Sequence, residues 1–177
     1  MTPIKRVKYF NGQLLSAADF QAEQDYHRAK QRLHNRVLHG AGVVEGLKVS
    51  VGKGGDAGSV VVTPGSALDP NGELISLCEA GSLSLRSTAA AVLVFLRYTE
   101  RPVDAVPVAT PDSDATAQPS RVEEGSELVL VDEASPATTK ARRVAADPAG
   151  VALARLVRRR TGWSVDRKFK VARVGGA

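Results

Sequence analysis

The sequence contains very few cysteines and aromatic residues. Among 177 residues there are one cysteine, one tryptophan, three tyrosines and four phenylalanines. The single cysteine, Cys78, excludes an intramolecular disulfide framework, and we expect it to be a small apolar residue inside a strand. Carbohydrate recognition needs concave aromatic platforms, so the shortage of aromatic side chains disfavours a sugar-binding module.

Long hydrophobic runs are also missing. No stretch approaches the roughly 18 consecutive apolar residues of a membrane-spanning helix, and the N-terminal segment MTPIKRVKYF lacks the apolar centre of a secretory signal. We therefore expect a cytoplasmic protein. The length allows one domain, or one domain with an appendage, that buries about two thirds of its unfolded surface.

Recognisable catalytic and metal-binding motifs are absent from the sequence. There is no nucleophile elbow, zinc-protease motif, phosphate-binding loop or dinucleotide fingerprint. His27 and His34 are seven residues apart, about 10 Å along a helix, which is too far for one metal ion. The sequence therefore predicts no catalytic residue, no metal site and no cofactor, and we expect a protein that is not an enzyme.

Charge is distributed unevenly along the chain. Residues 99–133 contain nine acidic and two basic residues, whereas residues 141–177 contain ten basic and two acidic ones. Such asymmetry suits a subunit that docks its basic face on an acidic neighbour, or a nucleic-acid-binding protein. The basic segment alternates like a strand and offers only Trp163 and Phe169 for stacking, so nucleic-acid binding is the weaker alternative.

One long helix is predicted near the N-terminus. Ser16 and Asp19 have the spacing of a capping box, and Gly40 is the natural stop, so the helix should cover residues 17–39. Five residues spaced four, three, four and four apart form its apolar stripe: Ala22, Tyr26, Ala29, Leu33 and Val37. Because this stripe is thin, we expect the helix to pack closely on a sheet or against copies of itself.

The remainder of the chain has the pattern of strands and turns. Period-two alternation begins at Val43. The pattern predicts a hairpin around residues 52–59, a turn at 69–72, a fully buried strand at 92–96, and strands at 128–131, 150–157 and 163–174. The segment VALARLVRRR also fits a short helix, but a strand is favoured. Residues 101–127, rich in Pro, Ser, Thr and Asp, are predicted to be a long acidic loop that serves as a contact arm.

These elements predict an α+β, mainly β fold. We expect the helix to pack on, or project from, an antiparallel β-sandwich or barrel-like domain. The predicted division is an N-terminal anchor and helix at residues 1–40 and a β-rich domain at residues 41–177.

The segment YFNGQLLSAADFQAEQDYHRAKQRLHNRVLHGAGVVEGLKV, together with VVVTPGSALDPNGELI after it, resembles structural proteins encoded beside phage-tail-like contractile injection systems. The likeness covers residues 6–130 and rests on a composite pattern without a catalytic signature. It implies a baseplate or adaptor subunit that forms a homo-oligomer and binds other subunits of the particle. A surface- or carbohydrate-binding module carried on such a particle is the alternative.

The resemblance also implies protein-interface residues rather than a catalytic site. Tyr9, Phe10 and Gly12 are expected to form an anchor before the helix. The expected helix contacts are Tyr26, Arg28, Arg32, His34 and Asn35, and the expected docking patch is Arg158, Arg159 and Arg160. The assembled particle would be intracellular or released.

Overall fold

The long helix begins and ends where the sequence predicts. The structure is a computed structural model that describes residues 4–52, 58–107, 117–133 and 150–175. Helix α1 covers Ala17–His34 and continues as a π-helix over Asn35–His39. The Asp19 carboxylate accepts hydrogen bonds from the Ser16 backbone N–H (2.8 Å) and hydroxyl (2.7 Å). Gly40, at φ +70°, ends the helix. The predicted capping box and stop are therefore confirmed.

Ten strands follow the helix in the described part of the chain. They are β1 (Gly42–Gly46), β2 (Val49–Val51), β3 (Gly58–Val62), β4 (Gly65–Leu68), β5 (Leu74–Leu77), β6 (Gly81–Leu85), β7 (Ala91–Val106), β8 (Gln118–Asp132), β9 (Gly150–Arg159) and β10 (Gly162–Val165). The predicted hairpin corresponds to β2 and β3, and the segment that also fitted a helix is the strand β9.

The strands form antiparallel sheets that curl into a half-barrel. Their orders are β1-β4-β5, β10-β9-β7-β8 and β2-β3-β6. The predicted α+β, mainly β class is confirmed. The division at residue 40 stays a prediction.

The core lies between the curled sheets and is centred on β7. The first six residues of β7 are all buried, as expected for a strand covered on both faces. Phe95, Leu96, Ile75 and Leu156 are among its largest fully buried side chains. Burial of this continuous apolar run anchors the four-stranded sheet in the core.

The prediction of a long loop at residues 101–127 is wrong for most of its length. Residues 101–106 belong to β7 and residues 118–127 to β8, and the two strands pair from Val92 opposite Asp132 to Val106 opposite Gln118. We call residues 98–106 and 118–126 the ribbon. Cross-strand pairing overrides the Pro-rich, acidic composition of this segment. The middle of the predicted loop, residues 108–116, lies outside the described residues.

Two further expectations need correction. The predicted strand at residues 163–174 ends at Val165, and the chain then crosses to β1, where the Val43 N–H donates to the carbonyl of Ala172 at 2.8 Å. Cys78 follows the end of β5 and is exposed, so it is not a core residue.

Candidate protein interface

The C-terminal half of α1 is attached to the sheets by polar contacts. The buried Asn35 amide donates a hydrogen bond of 2.8 Å to the carbonyl oxygen of Gly72, in the turn between β4 and β5. One turn earlier, the Arg32 guanidinium donates to the Glu73 carboxylate. That ion pair raises the pKa of Arg32. The helix is therefore held by hydrogen bonds and charge rather than by apolar packing.

The same helix face also reaches the base of the ribbon. Arg28 pairs with Glu100 and lies 3.9 Å from Glu73. The Tyr98 hydroxyl donates to Glu100 at 3.0 Å. Burial, together with the Glu100 and Glu124 carboxylates, raises the pKa of Tyr98, because deprotonation would add a negative charge there. We call these helix contacts, made by Arg28, Arg32 and Asn35 with Gly72, Glu73 and Glu100, the polar junction.

A buried aspartate shapes the turn that receives the helix. The Asp69 carboxylate accepts hydrogen bonds of 2.8 Å from the backbone N–H groups of Asn71 and Glu73. Gly72 in this turn has φ +91°, and a Cβ there would lie 2.2 Å from the Arg32 carbonyl oxygen. Only glycine therefore allows the helix backbone to approach so closely.

The apolar stripe of α1 does not face the sheets. No residue of α1 is buried, and none of its apolar side chains packs against the hydrophobic core. Tyr26, Ala29 and Leu33 are half-buried, whereas Val37 is 65% exposed. The polar face docks, and the apolar face is not packed on the hydrophobic core.

The N-terminal arm, residues 4–16, carries exposed aromatic side chains on a locally ordered backbone. The Gln13 N–H donates to the Phe10 carbonyl at 3.2 Å, across a turn in which Gly12 has φ +86°. Tyr9 is 48% and Phe10 68% exposed, so the predicted anchor residues do not fill the core of this chain.

Exposed apolar side chains are concentrated in the first 40 residues of the chain. Among the described residues, eight of the thirteen large hydrophobic side chains that are exposed lie within residues 4–40. They are Ile4, Tyr9, Phe10, Leu14, Leu15, Phe20, Val37 and Leu38. Large apolar side chains exposed in such number are typical of a segment that binds another protein.

The predicted docking patch lies far along the chain, at the turn between β9 and β10. Arg158, Arg159 and Arg160 are exposed, and none forms an ion pair within the described ranges. The Arg159 Nε donates to the Ser164 hydroxyl at 3.0 Å. This patch is therefore available to an acidic partner.

The neighbouring Arg155 is instead engaged inside the chain. Its guanidinium donates to Glu133 (2.6 and 2.8 Å) and to Asp166 (2.8 Å), and these bonds raise its pKa. The Lys168 N–H and Arg155 hold the pKa of Asp166 below its usual value. Arg155 thus ties β9 to the end of β8 and to the segment after β10.

Among known proteins, the chain is similar only to solved structures. No family model matches the chain, and no curated protein matches it. A chain of the type VI secretion system TssK-TssF-TssG baseplate subcomplex matches with a TM-score of 0.53 and 16% identity, over 96% of this chain and 62% of that one. The chain shares its fold with baseplate structures.

Two further baseplate structures also match the fold of this chain. A chain of the type VI secretion baseplate complex matches with a TM-score of 0.51 and 18% identity, over 97% of this chain and 42% of that one. The crystal structure of TssK gives a TM-score of 0.51 and 14% identity, over 93% and 41%. The chain thus spans between two fifths and two thirds of these longer chains, and at such identity the likeness concerns the fold.

The structure separates the sequence-predicted interface residues into groups. Arg28, Arg32 and Asn35 come together in the polar junction, whereas exposed His34 has its ring 5.3 Å from that of His39. The arm residues and the arginine patch lie apart from the junction. The sequence did not indicate Gly72, Glu73 and Glu100, because its turn signal at 69–72 says nothing about a docking helix.

Within the described ranges, no group of three or more metal-binding side chains comes together. No described helix is long and apolar enough to cross a membrane.

Proposed function

We propose that this chain is a non-enzymatic structural subunit, of baseplate or adaptor type, in a phage-tail-like contractile injection particle. The observation that carries the proposal is the fold shared with type VI secretion baseplate structures over at least 93% of the chain. The protein would work in the cytoplasm, bind other subunits of the particle and form a homo-oligomer.

The distribution of surface properties supports an assembly role. The exposed apolar side chains of the N-terminal arm and α1 provide a surface for another subunit. Tyr9 and Phe10 are the aromatic anchors in this proposal, and Gly12 forms the turn that presents them. The patch at Arg158–Arg160 supplies positive charge for an acidic neighbour, which favours correct orientation more than affinity.

The polar junction has a different role in this proposal. Asn35 is buried, and Arg28 and Arg32 bind carboxylates of their own chain. We infer that these three residues orient the helix, while Tyr26 and the arm contact a neighbour.

The proposal can be tested by co-purification with the proteins encoded beside this one. We expect the wild-type chain to co-elute with a baseplate protein in size-exclusion chromatography. Phe10→Glu combined with Leu14→Glu should abolish co-elution without changing the thermal unfolding midpoint, because both side chains are solvent-exposed. Val44→Glu, at a 45% exposed position in β1, is the matched control and should retain binding. A chain that binds none of these proteins would contradict the proposal.

A further inference from the structure

The apolar stripe of α1 lies well away from the face that docks on the sheets. At about 100° per residue, the stripe is centred about 130° around the helix axis from the docking residues Arg28, Arg32 and Asn35. No side chain of the stripe belongs to the core or packs on it. The polar junction therefore holds the helix in an orientation in which its apolar stripe, half-buried at Tyr26, Ala29 and Leu33, is not packed on the hydrophobic core.

The stripe has the spacing of a coiled-coil seam. Tyr26 and Leu33 are seven residues apart at one core position, and Ala22 and Ala29 are seven apart at the other. Large and small side chains alternate along the seam, so that a second helix can approach closely at the alanines. The matching surface for such a seam is another helix with the same spacing.

We propose that α1 pairs in parallel with α1 of a second copy of this chain through this seam. The inference deepens the assembly role proposed above and rests on it. The positions that flank the seam carry complementary charge. In a parallel pair, Asp25 of one helix lies beside Lys30 of the other, five residues further on. Both side chains are exposed and lack an ion pair in the described part of the chain.

The parallel orientation uses charges that form no ion pair among the described residues, although Asp25 accepts a hydrogen bond from Gln21. An antiparallel pair would place Asp25 opposite Arg32 of the other helix, but Arg32 already binds Glu73 in its own chain. The parallel pair leaves the polar junction intact.

Cysteine cross-linking tests the seam and its orientation. In a Cys78→Ser background, Ala22→Cys and Ala29→Cys are introduced separately into the full chain, and disulfide formation is followed under mild oxidation. Both variants should form cross-linked dimers, because a parallel seam places each cysteine beside the same cysteine of the partner helix. Gln24→Cys, exposed on the side of the helix opposite the seam, is the matched control and should cross-link at least about tenfold more slowly.

The outcomes separate the possible arrangements. Residues 22 and 29 are about 10 Å apart along the helix. In an antiparallel pair, at most one of them can lie next to the same residue of the partner helix. Cross-linking at one position alone would therefore overturn the parallel seam. Rates equal to that of Gln24→Cys at both positions overturn self-association through this face. If baseplate proteins still co-elute in that case, the inference fails and the proposed function stands.

Charge exchange provides a second test on the Ala29→Cys protein. Asp25→Lys and Lys30→Glu should each slow cross-linking, because they place like charges across the seam. The double variant should restore the rate, and so should a mixture of the two single variants. Unchanged rates in both single variants would overturn the charge pairing.

Discussion

The Asn35 Nδ2 amide and the Gly72 carbonyl oxygen, 37 residues apart in sequence, form a buried hydrogen bond of 2.8 Å that joins the end of α1 to the turn between β4 and β5. Asn35 is 7% exposed and is the first residue of the π-helix. Its side chain therefore leaves the helix at the point where the helix becomes irregular, and it enters the turn between β4 and β5. Irregular turns of this kind are frequent at functional positions in helices.

Asn35→Leu should therefore weaken helix docking. The substitution leaves the Gly72 carbonyl buried without its donor, which costs about 1–3 kcal/mol of unfolding free energy. Urea denaturation followed by circular dichroism measures this loss. Gln24→Leu, at an exposed helix position, is the control and should change stability by less than about 0.5 kcal/mol. Equal effects of the two variants would contradict a structural role for the bond.

Gly72→Ala should destabilise the protein more than Gly12→Ala. Both glycines have positive φ, +91° and +86°, so each alanine adds a backbone cost of about 1–2 kcal/mol. At Gly72 the new Cβ would also collide with the Arg32 carbonyl oxygen, whereas nothing lies within 4 Å at Gly12. The collision should add about 1–3 kcal/mol, measurable by urea denaturation. A similar loss in both variants would show that the helix can move away from the turn.

Local signals made the helix predictable from sequence, but its orientation was not. Ser16, Asp19 and Gly40 define the helix ends through contacts within a few residues. Asn35 contacts a turn 37 residues away, and nothing in the helix sequence indicates that partner. The apolar stripe suggested packing on a sheet or on other copies, whereas charge and hydrogen bonding dock the opposite face.

The ribbon was missed because its stability depends on pairing between distant residues. The composition around Pro102 and Pro119 is that of a loop, since proline removes a strand hydrogen bond. In the structure these prolines lie in the part of β7 and β8 that extends beyond β9, where edge positions tolerate them. The Arg101–Glu123 ion pair connects the two strands directly across the register.

Phe95→Ala and Val122→Ala should separate the core of β7–β8 from the ribbon. Phe95 is 2% exposed, and its truncation should cost about 3–5 kcal/mol through lost burial and the cavity that remains. Val122, 59% exposed in the ribbon, should lose less than about 1 kcal/mol. Chemical denaturation of both variants measures the difference. A large loss at Val122 would mean that the ribbon folds against a surface of its own chain.

Arg155→Lys should destabilise the four-stranded sheet, whereas Arg158→Lys should not. The planar guanidinium of Arg155 bonds Glu133 and Asp166 at once, which an ammonium group cannot reproduce with the same geometry. We expect a loss of about 1 kcal/mol, because the three side chains are only partly exposed. Arg158 is exposed and serves as the matched control. Thermal unfolding of the two variants in low and high salt gives the comparison, and equal midpoints would contradict the bridging role.

The first turn of α1 should lose stability in acid. Hydrogen bonds from Ser16 lower the pKa of Asp19 from its usual value of 3.8, so the folded helix favours the ionised carboxylate. The stabilisation is therefore fully present above the unfolded pKa and is lost as the pH falls through the lowered value. Amide exchange of residues 17–20, followed by nuclear magnetic resonance between pH 6 and about pH 2, should show this loss of protection.

Two variants distinguish the capping carboxylate from other acidic groups. Asp19→Asn should remove most of the pH dependence in the first turn, because no charge is then gained or lost at that position. Asp25→Asn, two turns further along the helix, leaves the capping box intact and should retain it. If both variants kept the same acid transition, the transition would arise elsewhere in the molecule, and the Ser16–Asp19 contact would not control the start of the helix.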